Sequence, residues 1–373
     1  MTYMRLVEQA FDNPDSISID KIAPKIVVIG CGGGGCNSVH RLKSLGLTGI
    51  ETVAINTDQS HLSGIKADKK ILIGERVTKG FGTGGDPTIG YKAARESIDQ
   101  INEALSDADL VFLTAGMGGG SGTGIAPVVA DAAKRSGALS VALVTTPFSY
   151  ERGRMEVSQR GIDALGLTAN CTVVLDNNKL LKIAPKLPID KAFCLMDQII
   201  AETVKGLSDM LFETSMINLD FSDFHNVMAN GGMGTIMVGE SEDVDELVGE
   251  ALGNPFLEVD LGKANGALIQ ITGGADMSLK EAYKIFEGII DCLPSARNVK
   301  FAAKIDESDH SKMKRVMGIV TGIGNRGEVG QRMPAIPANV LTGSRIWPRL
   351  VAKKSILQIL YLRFMHFPFG EMQ

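Results

Sequence analysis

One turn of this chain carries six glycines in nine residues, at positions 116–124. An apolar run at 108–113, typical of a buried strand, precedes the turn, and a helical pattern at 128–134 follows it. Glycine loses more backbone entropy on folding than any other residue, so a run of glycines indicates that backbone must approach a ligand closely. At a strand-to-helix turn, free N–H groups and the helix dipole favour an anion. The turn therefore predicts a phosphate-binding α/β domain.

The chain alternates strand and helix patterns from residue 25 onwards, which is typical of a parallel sheet with helices on both faces. Strands are predicted at 25–30, 52–56, 70–73, 110–114, 140–145 and 171–175, and helices at 37–45, 88–105 and 156–165. Apolar residues then recur with helical spacing from 190 to about 213, which predicts one long helix with a buried stripe. Further helices are predicted at 244–252 and 279–290, and strands at 235–239, 267–272, 299–305 and 315–321.

These patterns predict five segments in a chain of 373 residues, a length suited to two domains. They are an N-terminal extension (1–24), a nucleotide-binding domain (25–189), a central helix (190–216), a second α+β domain with a mixed sheet (217–323), and a linker with a basic aromatic tail (324–373). The predicted fold class is α/β, with a Rossmann-like parallel sheet in the first domain.

Charge and cysteine usage limit the function classes. The net charge is −5, which predicts no nucleic-acid partner. The five cysteines are scattered, which favours reduced thiols in a cytoplasmic protein and no metal site. The sequence shows no N-terminal signal pattern and no apolar run of ~18 residues, so no membrane-spanning helix is expected.

The tail differs from the rest of the chain in charge. Residues 324–373 hold seven Lys and Arg against two Asp and Glu, so the other residues sum to −10. Aromatic and basic residues alternate in its last part: Trp347, Arg349, Lys353, Lys354, Tyr361, Arg363, Phe364 and Phe367. The tail is consistent with a basic interfacial helix, with a segment that docks a partner, or with a solvated terminus.

A second glycine run follows the first strand, where Gly30, Gly32 and Gly35 satisfy G-x-G-x-x-G, the dinucleotide fingerprint. The acidic residue expected at the end of the next strand is missing, and no Walker P-loop motif occurs. A third glycine-rich turn lies at 80–85. All three turns are predicted on one rim of the sheet, where backbone N–H groups alone can surround a di- or triphosphate.

Five motifs together resemble the FtsZ family, the prokaryotic relatives of tubulin that polymerise with GTP at the division site. They are the glycine box 118–124, similar to the family signature G-G-G-T-G-T/S-G, the opening 30–37, the turn 56–58, the segment 80–87 and the segment 218–223. Ser121 stands where the family has threonine, which keeps the hydroxyl. The resemblance covers residues 25–323 and implies a tubulin/FtsZ-type fold.

The resemblance implies a guanine-nucleotide site that binds GTP and GDP. Its nucleotide-binding residues would be Gly33, Gly34, Gly35, Cys36, Asn37, Gly118, Gly119, Gly120, Ser121, Gly122, Thr123, Gly124, Glu151, Arg154, Asn177, Phe193 and Asp197. Glu151 would accept from the ribose hydroxyls, and Asn177 and Asp197 would contact the guanine edge. A carboxylate can accept from both N1–H and the 2-amino group of guanine, which adenine cannot match. The spacing from Glu151 to Arg154 is one residue shorter than in the family.

The resemblance also implies a second half-site at Asn218, Asp220 and Asp223, which would meet the GTP of the next subunit along a filament and orient the attacking water. Positioning and electrostatics dominate phosphoryl transfer, and Mg²⁺ would offset the phosphate charge. Such a head-to-tail contact propagates into an open filament, so GTPase activity per molecule should rise with protein concentration. Expected partners are further copies of the chain and, through the tail, membrane-tethering or division proteins at mid-cell.

Two other functions stay open on the residues alone. A Rossmann-type NAD(P)-dependent oxidoreductase would explain Gly30, Gly32 and Gly35 but not the glycine box or the segment 218–223. A non-hydrolysing paralogue of the same fold would not need the two carboxylates Asp220 and Asp223.

Overall fold

The computed structural model describes residues 24–47, 49–212, 217, 219–257, 259–306 and 312–323. Residues 1–23, Asn218 and the tail 324–373 lie outside the described residues, so the expectations placed on them stay predictions. Among the described residues, no helix is both long and apolar enough to cross a membrane.

The first half of the described chain alternates strands and helices. The strands are β1 (Ile26–Cys31), β2 (Ile50–Asn56), β3 (Lys69–Leu72), β4 (Leu110–Gly116), β5 (Leu139–Thr146) and β6 (Cys171–Asp176). The helices are α1 (Gly32–Ser44), α2 (Gln59–Gly64), α3 (Glu75–Thr78), α4 (Pro87–Glu96), α5 (Ile98–Ala104), α6 (Gly120–Ser136), α7 (Arg152–Thr168) and α8 (Leu180–Ile183). These six strands are parallel neighbours in the order β3-β2-β1-β4-β5-β6. The chain builds the sheet outward from β1 to β3 and then continues from β4 on the other side of β1. Open α/β sheets bind ligands at such a switch in strand order, here between β1 and β4.

The second half follows a long helix, α9 (Ile189–Phe212). Its elements are α10 (Phe221–Met228), β7 (Gly232–Ser241), α11 (Val244–Leu252), β8 (Gly266–Gly273), α12 (Leu279–Ile290), β9 (Asn298–Ile305) and β10 (Lys314–Thr321). Strand β10 runs antiparallel to β7 and β8, whereas β8 and β9 are parallel, so this part of the sheet is mixed.

A single ten-stranded sheet joins the two halves, because β6 pairs with β7 through three residue pairs. The apolar stripe of α9 strengthens this junction. Leu195, Ile199 and Leu207 share one buried cluster with Leu268 and Ile319 of the second half. The two halves therefore have a common core.

Two predicted helices differ from the structure at their ends. Helices α1 and α6 begin inside the glycine runs, at Gly32 and Gly120, several residues before the predicted starts. The glycines thus supply the first turns of both helices, where N–H groups have no intrahelical partner.

The prediction of one helix at 88–105 is wrong, because Ser97 separates α4 from α5. The Ser97 hydroxyl accepts a hydrogen bond from the backbone N–H of Gly74 at 3.2 Å. This bond joins residues 23 positions apart, and apolar spacing alone does not reveal such a contact.

Candidate functional site

A pocket of about 560 Å³ opens at the carboxyl ends of β1, β4, β5 and β6. Of the predicted nucleotide-binding residues, the lining includes Gly33, Gly34, Asn37, Gly118, Gly119, Gly120, Ser121, Gly122, Glu151, Arg154, Asn177, Phe193 and Asp197. The pocket therefore brings together residues that are up to 164 positions apart, from Gly33 to Asp197.

The two main glycine turns meet at one end of this pocket. A Cβ atom on Gly34 would lie 3.3 Å from the backbone of Gly116, so the turns after β1 and β4 lie against each other. Gly118 has φ +93°, a conformation that residues with side chains rarely adopt. Helices α1 and α6 both begin at these turns, and two helix N-termini beside one cavity favour an anionic ligand.

Three hydroxyl groups connect the glycine box to the neighbouring turns. The Ser121 hydroxyl lies 2.8 Å from that of Thr57 and 3.3 Å from that of Thr83. A Cβ on Gly120 would lie only 2.1 Å from the Thr83 hydroxyl, so glycine is required for this approach. Of the turn 80–85, Thr83 and Gly85 line the pocket. Neither Thr83, which lines the pocket, nor Thr57, which supports Ser121 from outside the lining, was predicted individually, although both lie in motifs identified in the sequence.

Asp197 lies on α9 and lines the same pocket. The Ser38 hydroxyl donates a hydrogen bond to its Oδ1 at 2.6 Å. Burial raises the pKa of Asp197 to about 7, and the Ser38 hydrogen bond and the charge of Arg41 only partly oppose this effect. A carboxyl group held this way gains from further N–H donors. No pattern in the sequence predicted Ser38 as its partner.

Two polar atoms in the pocket have no hydrogen-bond partner among the described residues, the Asn177 Oδ1 and the Thr114 Oγ1. Asn177 is only 4% exposed and follows β6 directly. Buried polar atoms are rarely left unpaired, so these two indicate a ligand with polar groups at both positions. Thr114, near the end of β4, is a site residue that the sequence analysis missed.

Phe193 presents an exposed ring to the pocket, with 42% of the residue accessible. Its ring packs edge-on against Phe148, with centroids 5.7 Å apart. An anchored aromatic ring of this kind can stack on a planar base.

Glu151 and Arg154 form an ion pair at the pocket wall, with 2.5 Å between Arg154 Nη1 and Glu151 Oε2. The other carboxylate oxygen accepts from the backbone N–H of Phe148 at 3.0 Å. Arg154 Nε also donates to the carbonyl oxygen of Gly118 at 3.3 Å. Despite the short spacing, both residues line the pocket, and Arg154 contacts the glycine box directly.

Four of the predicted nucleotide-binding residues do not line the pocket: Gly35, Cys36, Thr123 and Gly124. A Cβ on Gly35 would lie 2.2 Å from the Thr114 carbonyl oxygen, and one on Gly124 2.3 Å from that of Pro87, so these glycines allow close packing behind the pocket. The Thr123 hydroxyl accepts from the Gly118 N–H at 2.9 Å.

Cys36, the remaining predicted residue that does not line the pocket, is fully buried behind it. Its thiol contacts the carbonyl oxygens of Gly30 and Ile55. Burial raises the pKa of this thiol to about 12, so the group is unreactive in the folded protein.

The second predicted half-site lies apart from the pocket, because neither Asp220 nor Asp223 lines it. Asp220 caps the N-terminus of α10, where its Oδ1 accepts from the Asp223 N–H at 2.6 Å. Asp223 forms an ion pair with Lys300 at 2.6 Å, a partner that the sequence analysis missed. Asp220 is exposed, so its carboxylate is accessible to a second molecule.

Two family models match this chain. The GTPase domain of the tubulin/FtsZ family matches residues 25–185, and the C-terminal domain of the FtsZ family matches residues 228–324. Together they cover more than half of the chain.

Similar proteins come from archaea. Cell division protein FtsZ 2 of Halobacterium salinarum is 50% identical over 303 residues, which are 80% of this chain and 77% of that protein. Cell division protein FtsZ 2 of Methanocaldococcus jannaschii is 47% identical over 340 residues, 89% of each chain. A solved empty FtsZ dimer from M. jannaschii superposes with a TM-score of 0.79 at 39% identity and covers 90% of this chain and 99% of that one.

Proposed function

This chain belongs to the FtsZ family of tubulin-like GTPases, and on that premise we propose that each subunit binds GTP in the glycine-lined pocket and cleaves it with Asp220 and Asp223 of the next subunit. The chain is a polymerising GTPase of cell division. An oxidoreductase function is not favoured, and its simplest test is protection from thermal unfolding by GTP compared with NAD.

The single observation that carries the proposal is the unpaired Asn177 Oδ1 in a pocket that Asp197 also lines and at which two helices begin. In our proposal the phosphates lie against residues 118–122 and Gly33–Gly34, where free N–H groups bind them. The base lies between Asn177 and Asp197, with Phe193 stacking on its ring. Glu151 accepts from the ribose hydroxyls, and Arg154 approaches the phosphates.

Mg²⁺ fits this arrangement as a partner of the nucleotide. The described residues hold no cluster of three or more His, Cys, Asp or Glu that could bind a metal ion. The hydroxyls of Ser121, within the glycine box, and of Thr83, next to it, both belong to residues that line the pocket. Mg²⁺ commonly binds through substrate phosphates and water, and when bound it offsets the phosphate charge. The ion would therefore bind with GTP and not to the protein alone.

Hydrolysis between subunits follows from the separation of the two half-sites. The pocket supplies binding groups, whereas Asp220 and Asp223 are not among the residues that line it. A head-to-tail contact would bring the two carboxylates of one subunit to the phosphates of the next, to orient the attacking water together with Asn218. Assembly would then activate the GTPase.

The test is phosphate release measured against protein concentration, with filament sedimentation in GTP, GDP and no nucleotide. The Asp220→Ala variant should form filaments that persist, because hydrolysis is lost. Asp243→Ala is the matched control, since Asp243 also caps a helix, α11, through its side chain. Either substitution removes a helix cap worth about 1 kcal/mol, so the two variants should differ in phosphate release only if Asp220 has a catalytic role. A turnover independent of protein concentration, or unchanged in Asp220→Ala, would contradict the proposal.

The location and other partners of the chain remain part of the proposal. We propose that filaments gather in the cytoplasm at the division site and that residues 324–373 recruit them to the membrane or to an anchor protein. Removing these residues should spare polymerisation and abolish co-sedimentation with anionic liposomes. Continued liposome binding after truncation would contradict a role for the tail.

A further inference from the structure

Lys300 lies where a helix end disfavours a positive charge. Its ammonium group is 2.6 Å from Asp223 Oδ1, in the first turn of α10. The N-terminus of a helix carries partial positive charge and favours anions. A lysine at this position is therefore unfavourable for the helix itself, and its pairing with Asp223 offsets that effect.

Strand β9 directs this lysine toward the proposed catalytic helix. Side chains alternate between the two faces of a strand. Phe301 stacks on Phe286 of α12, with ring centroids 4.1 Å apart, and Ala302 belongs to the buried cluster that contains Phe224 of α10. Lys300 thus shares the face of Ala302, beneath α10, and reaches Asp223 from there.

The two carboxylates and the lysine form one connected group. Asp220 accepts from the backbone N–H of Asp223, and the side chain of Asp223 is held through Oδ1 by Lys300. With both contacts in place, Lys300 holds Oδ1 of Asp223, and because the carboxylate is rigid, the direction of Oδ2 is set as well. An unpaired aspartate at a helix start would sample several rotamers.

We propose that Lys300 is a positioning residue that acts through Asp223, by fixing the orientation of this carboxylate for the GTP of the neighbouring subunit. The inference rests on the proposed catalytic role of Asp220 and Asp223. It adds a residue on β9, about 77 positions along the chain from Asp223, to the groups that set the rate of hydrolysis. A small displacement of a positioned group can cost large factors in rate.

Stability does not explain the ion pair. The side chains of Lys300 and Asp223 are 38% and 31% exposed. Exposed pairs of this kind contribute about 0–1 kcal/mol, so removing the ammonium group should leave the protein folded. A purely structural lysine could be replaced by methionine, which keeps most of the side-chain length, with little effect on any function.

The test measures GTP turnover against protein concentration for Lys300→Met, Lys300→Arg, Asp223→Asn and the double variant. The intercept gives the critical concentration for assembly, and the slope gives turnover per assembled subunit. Lys300→Met should lower the slope about tenfold and leave the intercept within about twofold, because only orientation is lost. Lys300→Arg should restore the slope. The double variant should be no slower than Asp223→Asn alone, because the lysine acts through that carboxylate.

Lys43→Met is the matched control, since Lys43 of α1 pairs with Asp68 at similar exposure, and among the described residues neither of the two forms an ion pair with Asp220 or Asp223. It should keep the wild-type slope. An unchanged slope in Lys300→Met, with a reduced slope in Asp223→Asn, would overturn the inference and leave the proposed function intact. Independent, multiplicative losses in the double variant would also overturn it. A wild-type slope in Asp223→Asn would instead show that the proposed catalytic assignment had failed.

Discussion

The substitution Asp197→Asn separates the proposed nucleotide-binding role of this side chain from its effect on stability. In the nucleotide-free protein the carboxyl group is held by one hydrogen bond from Ser38, and burial raises its pKa to about 7 from an ordinary 3.8. Asparagine has nearly the same shape and carries no charge at any pH. The variant should therefore be more stable than the wild type without nucleotide, and weaker at binding guanine.

The size of the effect follows from the two pKa values. One pKa unit corresponds to about 1.4 kcal/mol, so a carboxyl that is ionised in both states destabilises the folded protein by about 4 kcal/mol. Because the pKa of Asp197 is raised in the folded state, the contribution of its protonated carboxyl group to the free energy of unfolding is fully present below about pH 4. This contribution is lost as the pH rises towards 7 and changes little above that. Between pH 5 and pH 8 the loss is about 2–3 kcal/mol.

The assay is thermal and urea unfolding of nucleotide-free wild type and Asp197→Asn at half-unit steps from pH 5 to pH 8. As the pH rises from about 5 to about 8, the excess unfolding free energy of Asp197→Asn over the wild type should grow by about 2–3 kcal/mol, or about 5–10 °C in melting temperature. It should level off above about pH 7.5. Because every other titrating group is common to both proteins, the difference isolates Asp197.

Nucleotide binding gives the opposite sign. Guanine donors need the ionised carboxylate, so GDP affinity of the wild type, relative to the variant, should fall about tenfold per pH unit below pH 7. The nucleotide phosphates titrate equally in both proteins and cancel in this ratio. A stability difference that is constant from pH 5 to pH 8 would refute the reasoning, since it would mean that the pKa of Asp197 is not raised in the empty pocket.

Three further measurements, one on the same Asp197→Asn variant and two on new substitutions, test the structure. Asp197→Asn should also shift preference from GTP to xanthosine triphosphate by about tenfold or more, measured by competition binding, because the amide can donate to the 2-carbonyl group of xanthine; an unchanged preference would place the base elsewhere. Asn177→Leu should retain the wild-type melting temperature without nucleotide, because its Oδ1 is unpaired there, and should weaken GDP binding at least about tenfold in calorimetry. Gly124→Ala should lower unfolding free energy by about 1–3 kcal/mol, because its Cβ would lie 2.3 Å from the Pro87 carbonyl oxygen, whereas Gly249→Ala, which has open space, should not destabilise the protein.

The sequence predicted most of the elements in the part of the chain that the structure describes, because their local signals are strong. Alternating apolar runs and helical stripes identified the strands β1, β4 and β5 and the long helix α9. Local sequence signals failed where a contact of one side chain accompanies a break in a helix. At Ser97, between α4 and α5, the hydroxyl accepts from the backbone N–H of Gly74, and the first helix ends earlier than predicted. Short helices such as α2 and α10 lack enough periodicity to be recognised.

From the sequence by itself, six glycines in one turn required a close approach of the backbone; in the structure some of these glycines line the pocket, while Gly124 allows close packing against the Pro87 carbonyl oxygen. Family resemblance then predicted Asn177, Asp197 and Glu151, and the pocket contains all three. Which glycines face the pocket was decided by the tertiary structure. Gly34 lies on the cavity, while Gly35 packs against β4 one residue later, since a helix turns successive residues by about 100°.

Contacts between distant segments were also decided only by the tertiary structure. The partners Ser38 with Asp197, Thr57 with Ser121, and Lys300 with Asp223 are separated by tens of residues or more, and each depends on how the sheet orders its strands. Sequence spacing carries no information about such pairs, because the strand order and the helix packing place their side chains together. The chemistry of the site therefore rests on residue types readable in the sequence and on an arrangement that exists only in the folded chain.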